Sequence, residues 1–431
     1  MITTQPVTRR SFMRSMLAAG TAPAIIPAHV LGAEAPSNKI TLGIIGVGAQ
    51  GTQDMTNFLG LKKEVRVTAI CDVNQRNIAQ ARERIKGAYG TPDVRVYEDF
   101  RELNANPGID AVLMALPVHW HSIPALDAIQ RGKHIFHEKP MAMSFEEGRR
   151  VREAVRKKGV VFQFGTQQRS DLKFRWACEL VLNGRLGKLR EIEVIVPGGR
   201  VIGDLKEQPV PDYVDWNRWV GPAPESFFHE AKLRRGFHEN MTDFSLGMIS
   251  CWGIHHLDIA QWGNGTDGTG PVSVEGTGRY PDAGSCDAIL DWDVRFEFAK
   301  AAPVTFKGQG RHGVHFIGED ERLFVTRGDL KVADAIYRDP ANKVGTMPVK
   351  LPVSTHHARN FIEAIQNGTR SICDIEAALR SDTLCQTALI AVKQGRKLQW
   401  DPEAEHFDND QDANKMLQPR TFRGDWKLPA V

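Results

Sequence analysis

Residues 39–51, K-I-T-L-G-I-I-G-V-G-A-Q-G, constrain this chain more than any other stretch. A short apolar run rich in β-branched residues (Ile40, Leu42, Ile44, Ile45) breaks abruptly into glycines at Gly46, Gly48 and Gly51. That is the G-x-G-x-x-G spacing of a strand turning sharply into a helix beneath a pyrophosphate. The first glycine permits the turn, the second lets the backbone approach the phosphates, and the third lets the helix pack close to its strand. Free N–H groups at the helix start, at Ala49 and Gln50, then face the anion. A second apolar strand ends in Asp72 about 20 residues on, where an acidic side chain holds the ribose hydroxyls. Asp72 favours NAD, because its charge repels a 2′-phosphate, while Arg76 nearby leaves NADP open.

The alternation continues along the chain. Apolar strands are read at residues 65–71, 94–97, 111–116, 134–137 and 160–164, with helical spacing at 75–86, 122–131 and 144–158. Strands alternating with helices predict a doubly wound parallel sheet over residues 36–165. In such a sheet ligands collect at the carboxyl ends of the strands. Asp72, the run from Leu116 and Pro117 to His121, and Glu138 with Lys139 all stand at such ends. Beyond Gly165 the pattern changes. A helix at 172–182 precedes a strand at 189–196, a Trp- and Pro-rich loop covers 197–237, a helix is read at 250–262, and short alternating runs fill 272–332. Residues 166–355 thus read as an α+β domain with a large, mostly antiparallel open sheet, whose face offers a dimer contact. Helical spacing returns at 356–366 and 375–392, and these returning helices (356–395) are placed against the first domain. Residues 396–431 read as an extended tail pinned by Phe407, Phe422 and Trp426.

With 431 residues, 42% of them hydrophobic, the chain can bury cores for two domains. Its net charge of +3 is supplied by Arg9, Arg10 and Arg14, so nothing points to a nucleic-acid partner. Six cysteines (Cys71, Cys178, Cys251, Cys286, Cys373, Cys385) scatter without a C-x-x-C pair, which argues against a zinc site or a disulfide framework. Residues 1–35 read as a twin-arginine export signal. Thr8, Arg9, Arg10, Ser11, Phe12 and Met13 precede a mildly apolar stretch at 16–26, and small residues surround Ala33 and Ala35. Pro23 and Pro27 would break an amphipathic helix there, and the run is too short to remain as a membrane span. The expected location is the periplasm or the exterior, reached through the twin-arginine machinery, with no stable membrane anchor.

Several clusters can carry chemistry. Glu138–Lys139–Pro140 closes the fifth strand, and a lysine there lies beside the nicotinamide end of the cofactor. Its ammonium can bond a substrate hydroxyl and favour the alkoxide-like state that releases hydride. His119 and His121 can contact the cofactor or a metal, or simply bond the free N–H groups of the helix they start. No further ligand has the right spacing, so no metal is assigned. In the run from Cys251 to Asp258, His255 and His256 point about 100° apart on a helix, so one of them faces the cleft squarely. Asp258 follows His255 by three residues and is placed to orient it, unless both rings serve buried polar groups. Gln167 and Gln168, at the junction after the sixth strand, suit hydrogen bonds to cofactor or sugar, or a linker role. His356 and His357 are weaker candidates. Trp216, Trp219, Phe227 and Phe228 can stack on sugar faces or form core.

In their order and spacing, Gly46-x-Gly48-x-x-Gly51, Asp72, Pro117-x-His119, Glu138–Lys139–Pro140 and Gly253-x-His255 resemble the Gfo/Idh/MocA oxidoreductases. The resemblance covers roughly residues 39–392. It implies a Rossmann domain followed by an open-sheet α/β domain, a bound nicotinamide cofactor, and a sugar, polyol or related carbinol substrate. It also implies Lys139 as the substrate-side lysine and His255 as the acid/base. The family usually carries an aspartate four residues before that histidine, and here the position is Cys251. A thiol cannot assist as a carboxylate does, so His255 is expected to act with Asp258 or to share its work with His256.

Export of a folded chain implies a cofactor loaded beforehand and retained. Two chemistries restore it within each cycle: coupled oxidation and reduction of two sugars, or transient oxidation of a glycoside followed by elimination. A sugar-binding protein that has lost turnover is the alternative from another class. A homo-oligomer is expected.

Overall fold

The computed structural model describes residues 39–431, so the twin-arginine motif and its cleavage region lie outside the described residues. Six strands form the first sheet: β1 (Ile40–Ile45), β2 (Val65–Cys71), β3 (Arg95–Tyr97), β4 (Ala111–Met114), β5 (His134–His137) and β6 (Phe162–Phe164). All pair in parallel in the order β3-β2-β1-β4-β5-β6. Ile45 pairs with Cys71 and Met114, and Met114 pairs with His137. This register aligns the strand ends, so Gly46, Asp72, Ala115 and Glu138 emerge along one edge.

The intervening helices are α1 (Ala49–Leu59), α2 (Gln75–Tyr89), α3 (Phe100–Ala105), α4 (Ser122–Gln130) and α5 (Phe145–Lys158). Local chemistry sets their ends. Asn74 accepts from Arg76 N to start α2, and Gly90 closes it in the left-handed conformation. Ser144 accepts from Glu147 N while the Glu147 carboxylate returns to the Ser144 hydroxyl, a variant of the capping box that starts α5.

The second sheet has nine strands: β7 (Leu189–Ile195), β8 (Ser273–Arg279), β9 (Asp291–Glu297), β10 (Val304–Lys307), β11 (Gly313–Gly318), β12 (Arg322–Thr326), β13 (Asp329–Lys331), β14 (Leu398–Asp401) and β15 (His406–Phe407). Their order is β13-β12-β11-β7-β10-β9-β8-β14-β15, and only β7 and β10 pair in parallel. Val194, Phe296, Phe306 and Phe316 fill the inner face. Glu191, Glu193, Arg295 and Lys307 pair across the outer one. That alternation is what a half-solvated antiparallel sheet requires. Helices α6 (Leu172–Leu182) and α7 (Gly253–Asn264) cover the inner face.

Two expectations need correction and a third is extended. The helix read at 250–262 is two pieces, because a one-turn segment at Met248–Cys251 ends at Trp252 (φ −106°) before α7 begins. Of the two returning helices, α8 (His357–Asn367) does pack on the first sheet, with Phe361 against Phe58 and Phe136. The other, α9 (Ile375–Gln394), also packs on the first domain, at α5 and β6, and its opposite side reaches β8, so it joins the cores under both sheets. Residues 396–431 are no extended tail, since they supply β14, β15 and a short helix at Gln411–Met416, with Trp400 and Phe407 fully buried. The sheet edge at β8 needed a hydrogen-bonding partner, and a local pattern of one or two aromatics does not show one.

The Phe361 ring is fully buried between two other rings. Phe361→Ala should cost about 3–5 kcal/mol of stability, read as a lowered denaturation midpoint in urea with an unchanged slope.

Candidate active site

The close approach at the glycine turn is enforced by backbone. Gly46 has φ +85°, and a Cβ there would lie 2.3 Å from Ala115 O. A Cβ on Gly51 would lie 1.9 Å from Gly46 O. Gly48 differs, since its nearest neighbour would be Asn77 Nδ2 at 3.7 Å, which leaves its outer side open to the cleft. No side chain caps α1 at Gly48, so the first N–H groups of that helix remain available to an anion. Asp72 is held rigidly, accepting from Val47 N (2.9 Å), Asn74 N (2.9 Å) and Asn77 Nδ2 (3.3 Å). An open cradle at uncapped N–H groups, with a fixed carboxylate at the next strand end, fits a dinucleotide. Gly46, Gly48, Ala49, Gln50, Asp72, Leu116, Pro117, Glu138 and Lys139 all line this one cleft. Gly51 lies beneath it as a packing residue.

At the far end of the cleft, the break at Trp252 turns the Cys251 carbonyl outward, and Lys139 Nζ donates to it at 3.3 Å. The lysine therefore sits at the start of the helix that carries His255. His255 is 6% exposed, its Nδ1 is buried without a partner, and its ring packs edge-on against Trp252 at 5.4 Å. Burial, followed by the charges of Lys139 and Arg327, holds its pKa well below the usual value. The imidazole is thus neutral and able to accept a proton. Glu138 accepts from Lys139 N at 3.2 Å, and its Oε1 is buried without a partner. Burial and the neighbouring Asp54 push the Glu138 carboxyl up, against the pull of the Lys139 charge.

Comparison with known proteins decides the family. Residues 40–166 match the oxidoreductase family model described as an NAD-binding Rossmann fold, and residues 198–428 match the family's C-terminal alpha/beta domain. The chain belongs to the Gfo/Idh/MocA oxidoreductases. It is 37% identical to Bacillus subtilis scyllo-inositol 2-dehydrogenase (NAD(+)), across 65% of this chain and 75% of that one. Similarity to a Shewanella oneidensis alpha-N-acetylgalactosaminidase reaches 37% but covers only 27% and 26%. The chain spans about half the length of other curated relatives, such as the Thermotoga maritima myo-inositol 2-dehydrogenase (49%). In fold it is similar to the WlbA dehydrogenase of Bordetella pertussis, solved with NADH and UDP-GlcNAcA, at TM-score 0.63 and 18% identity, covering 84% of this chain and 99% of that one.

Against that family frame, several residues singled out in the sequence stand elsewhere. Asp258 does not orient His255. Its carboxylate is taken by Arg169 through two 2.8 Å bonds and by Ser381 Oγ at 2.8 Å, with Arg169 also clamping Asp267. His256 is fully buried, its Nδ1 facing Gln168 and its ring against His312 at 4.7 Å. Like His255, it is not among the residues that line the cleft. His119 packs against Trp219 and Phe244, with Nε2 on Trp219 O at 3.0 Å. His121 spans Pro140 O (2.5 Å) and Leu116 O (2.8 Å) and ties the two strand-end loops together from behind. Neither histidine lines the cleft. Gln167 donates to Asp54 at 3.0 Å and is likewise outside it. The Cys251 thiol lies 3.1 Å from Ser245 Oγ, and burial pushes it up to about 12, so it stays uncharged. Trp216 and Trp219 stack on one another at 4.7 Å within the core of the long loop, though Trp219 also reaches the cleft wall.

Other residues of the site carried no sequence motif. Trp426 lies against Trp120 at 4.8 Å and lines the cleft from the C-terminal segment. Arg235 lines it from the long loop, paired with Glu239 at 2.9 Å. Arg76, the residue that left NADP open, is stacked on Tyr213 at 3.6 Å.

Two outcomes follow from this geometry. Asp72→Asn keeps the side-chain shape but removes the charge facing the ribose, so affinity for NADP should rise relative to NAD, measured by titrating each cofactor against intrinsic fluorescence. Because His255 is depressed, its proton-accepting form persists above a pKa well under 6.5 and is lost only below it. kcat/KM should therefore show no acid limb near pH 6.5. A limb at that value would contradict the assignment of His255 as base.

Proposed function

We propose that this protein oxidises a hydroxyl-bearing carbon of a sugar or polyol with NAD as the hydride acceptor. The observation that carries this reading is the seating of Lys139, which lines the dinucleotide cleft, on Cys251 O, which ties its ammonium to the start of the helix that carries the neutral His255 ring. Bound NAD supplies a hydride acceptor that the protein side chains lack. The substrate hydroxyl meets the Lys139 ammonium, which favours alkoxide character on its oxygen. His255 takes the hydroxyl proton on a ring nitrogen and gives it back in the reverse direction. Its low basicity in the free site suits rapid return of that proton. The raised Glu138 carboxyl weakens the negative charge beside Lys139 that would compete with the alkoxide.

The C-terminal segment supports a retained cofactor. Arg423 bonds Gly221 O and both the carbonyl and side chain of Asn217, and Trp426 is held at the cleft wall. Retention agrees with the export signal read in residues 1–35, since the exterior offers no dependable pool of nicotinamide dinucleotide. Redox-neutral cleavage of a glycoside is not favoured, because the likeness to a glycosidase covers only about a quarter of either chain.

Lys139→Ala should lower kcat by at least about 10²-fold with polyol or sugar substrates while cofactor remains bound. Turnover is followed by absorbance of the reduced cofactor, and retention by mass spectrometry of the denatured protein purified without added cofactor. An equal rate in the variant would sink the oxidoreductase reading, and a wild-type protein that binds sugars without reducing cofactor would favour a binding role.

A further inference from the structure

Lys139, Arg327 and Arg235 surround His255 with positive charge. Arg327 is the first of two turn residues between β12 and β13, and its guanidinium lies over the Trp252 ring at 4.7 Å. The hydrogen-bond network orients the Gln168 amide so that its nitrogen faces His255 O (2.6 Å) and His256 Nδ1 (3.2 Å). Its oxygen then accepts from Arg327 Nε at 3.2 Å. One edge of the guanidinium is therefore fixed, and the Nη groups are left without an ion pair among the described residues. Glu138 and Asp171 act on Arg327 only at a distance. Arg235, the other arginine acting on His255, is already matched by Glu239. Lys139 bonds only a neutral carbonyl, and Cys251 supplies no charge.

The geometry points to a carboxylate on the substrate, bound by the free edge of Arg327 beside the carbon that reacts at Lys139 and His255. A planar guanidinium with one edge anchored and one edge free matches a carboxylate in two parallel hydrogen bonds. A single unpaired arginine supplies the one charge a carboxylate needs, whereas a phosphate ester calls for more. The Trp252 ring beneath the guanidinium holds its plane in place, while the side chain stays exposed and open to an incoming anion. An anion on Arg327 also removes one of the charges that depress His255, so the base gains proton affinity when the correct substrate arrives.

The inference rests on the oxidising role proposed above, and the test separates the two. The cofactor-loaded protein is presented with D-glucuronate and D-galacturonate, with their parent hexoses, and with glucose 6-phosphate. Two readouts are followed, the kcat/KM for cofactor reduction and the ligand-induced shift in Tm. The acids should exceed their parents by at least about tenfold. Arg327→Gln should bring that ratio to within about twofold of one, and Arg327→Lys should restore part of it. Arg311→Gln removes an equal charge from an arginine stacked on Phe324 instead and should leave the ratio as it was. A ratio near one in the unaltered protein, a ratio insensitive to Arg327→Gln, a preference for the phosphate ester, or silence from every probe in both readouts overturns the carboxylate subsite. Parents oxidised as fast as acids would remove the subsite and leave the oxidation intact. Acids that raise Tm through Arg327 without reducing cofactor would do the reverse.

Discussion

Helix α1 can leave the first sheet where it does only because two backbones touch with no side chain between them. Gly51 faces the Gly46 carbonyl at a distance no Cβ tolerates, and Gly46 itself turns through a left-handed φ against Ala115 O. That contact draws the uncapped N-terminus of α1 over the strand ends and fixes Val47 N for Asp72. The parallel register then sets Glu138 and Lys139 two strands away at the same level. A larger residue at either glycine would move the helix and take the whole edge out of alignment.

The second control is electrostatic and comes from the other half of the molecule. The interruption of the helix at Trp252 exposes one carbonyl, and that carbonyl anchors the Lys139 ammonium. His255 lies in the first turn of the following helix, where burial, followed by the charges of Lys139 and Arg327, keeps it neutral. Where the family usually places an aspartate, the neutral Cys251 thiol is turned toward Ser245. The acid that would balance the lysine is missing, and the site as a whole is left cationic toward its substrate.

Asp258 and His119 show how far spacing can mislead. Both lie within the right motif at the right separation, yet Asp258 is consumed by Arg169 and Ser381, and His119 is sealed under Trp219. A buried carboxylate takes the strongest donor in reach, and here that donor came from the turn after β6, 89 residues away in the chain. Helical geometry could say that Asp258 and His255 are near one another. It could not say which neighbour would be nearer.

The parallel sheet, its nucleotide edge and the Lys139 position were legible in the residues themselves, because each depends on local chemistry: glycine sterics, strand hydrophobicity, and the carboxyl-end rule. The second sheet was legible as a class but not in its order, since β7 pairs with β10 and β14 with β8 across long stretches of chain that no periodicity encodes. Only the folded chain decided that Trp426 and Arg235 reach the cleft, that α9 serves two cores, and that Arg327 stands unpaired over Trp252. Those are long-range contacts, fixed by which surfaces remain once the local elements have formed, and their identity is a property of packing.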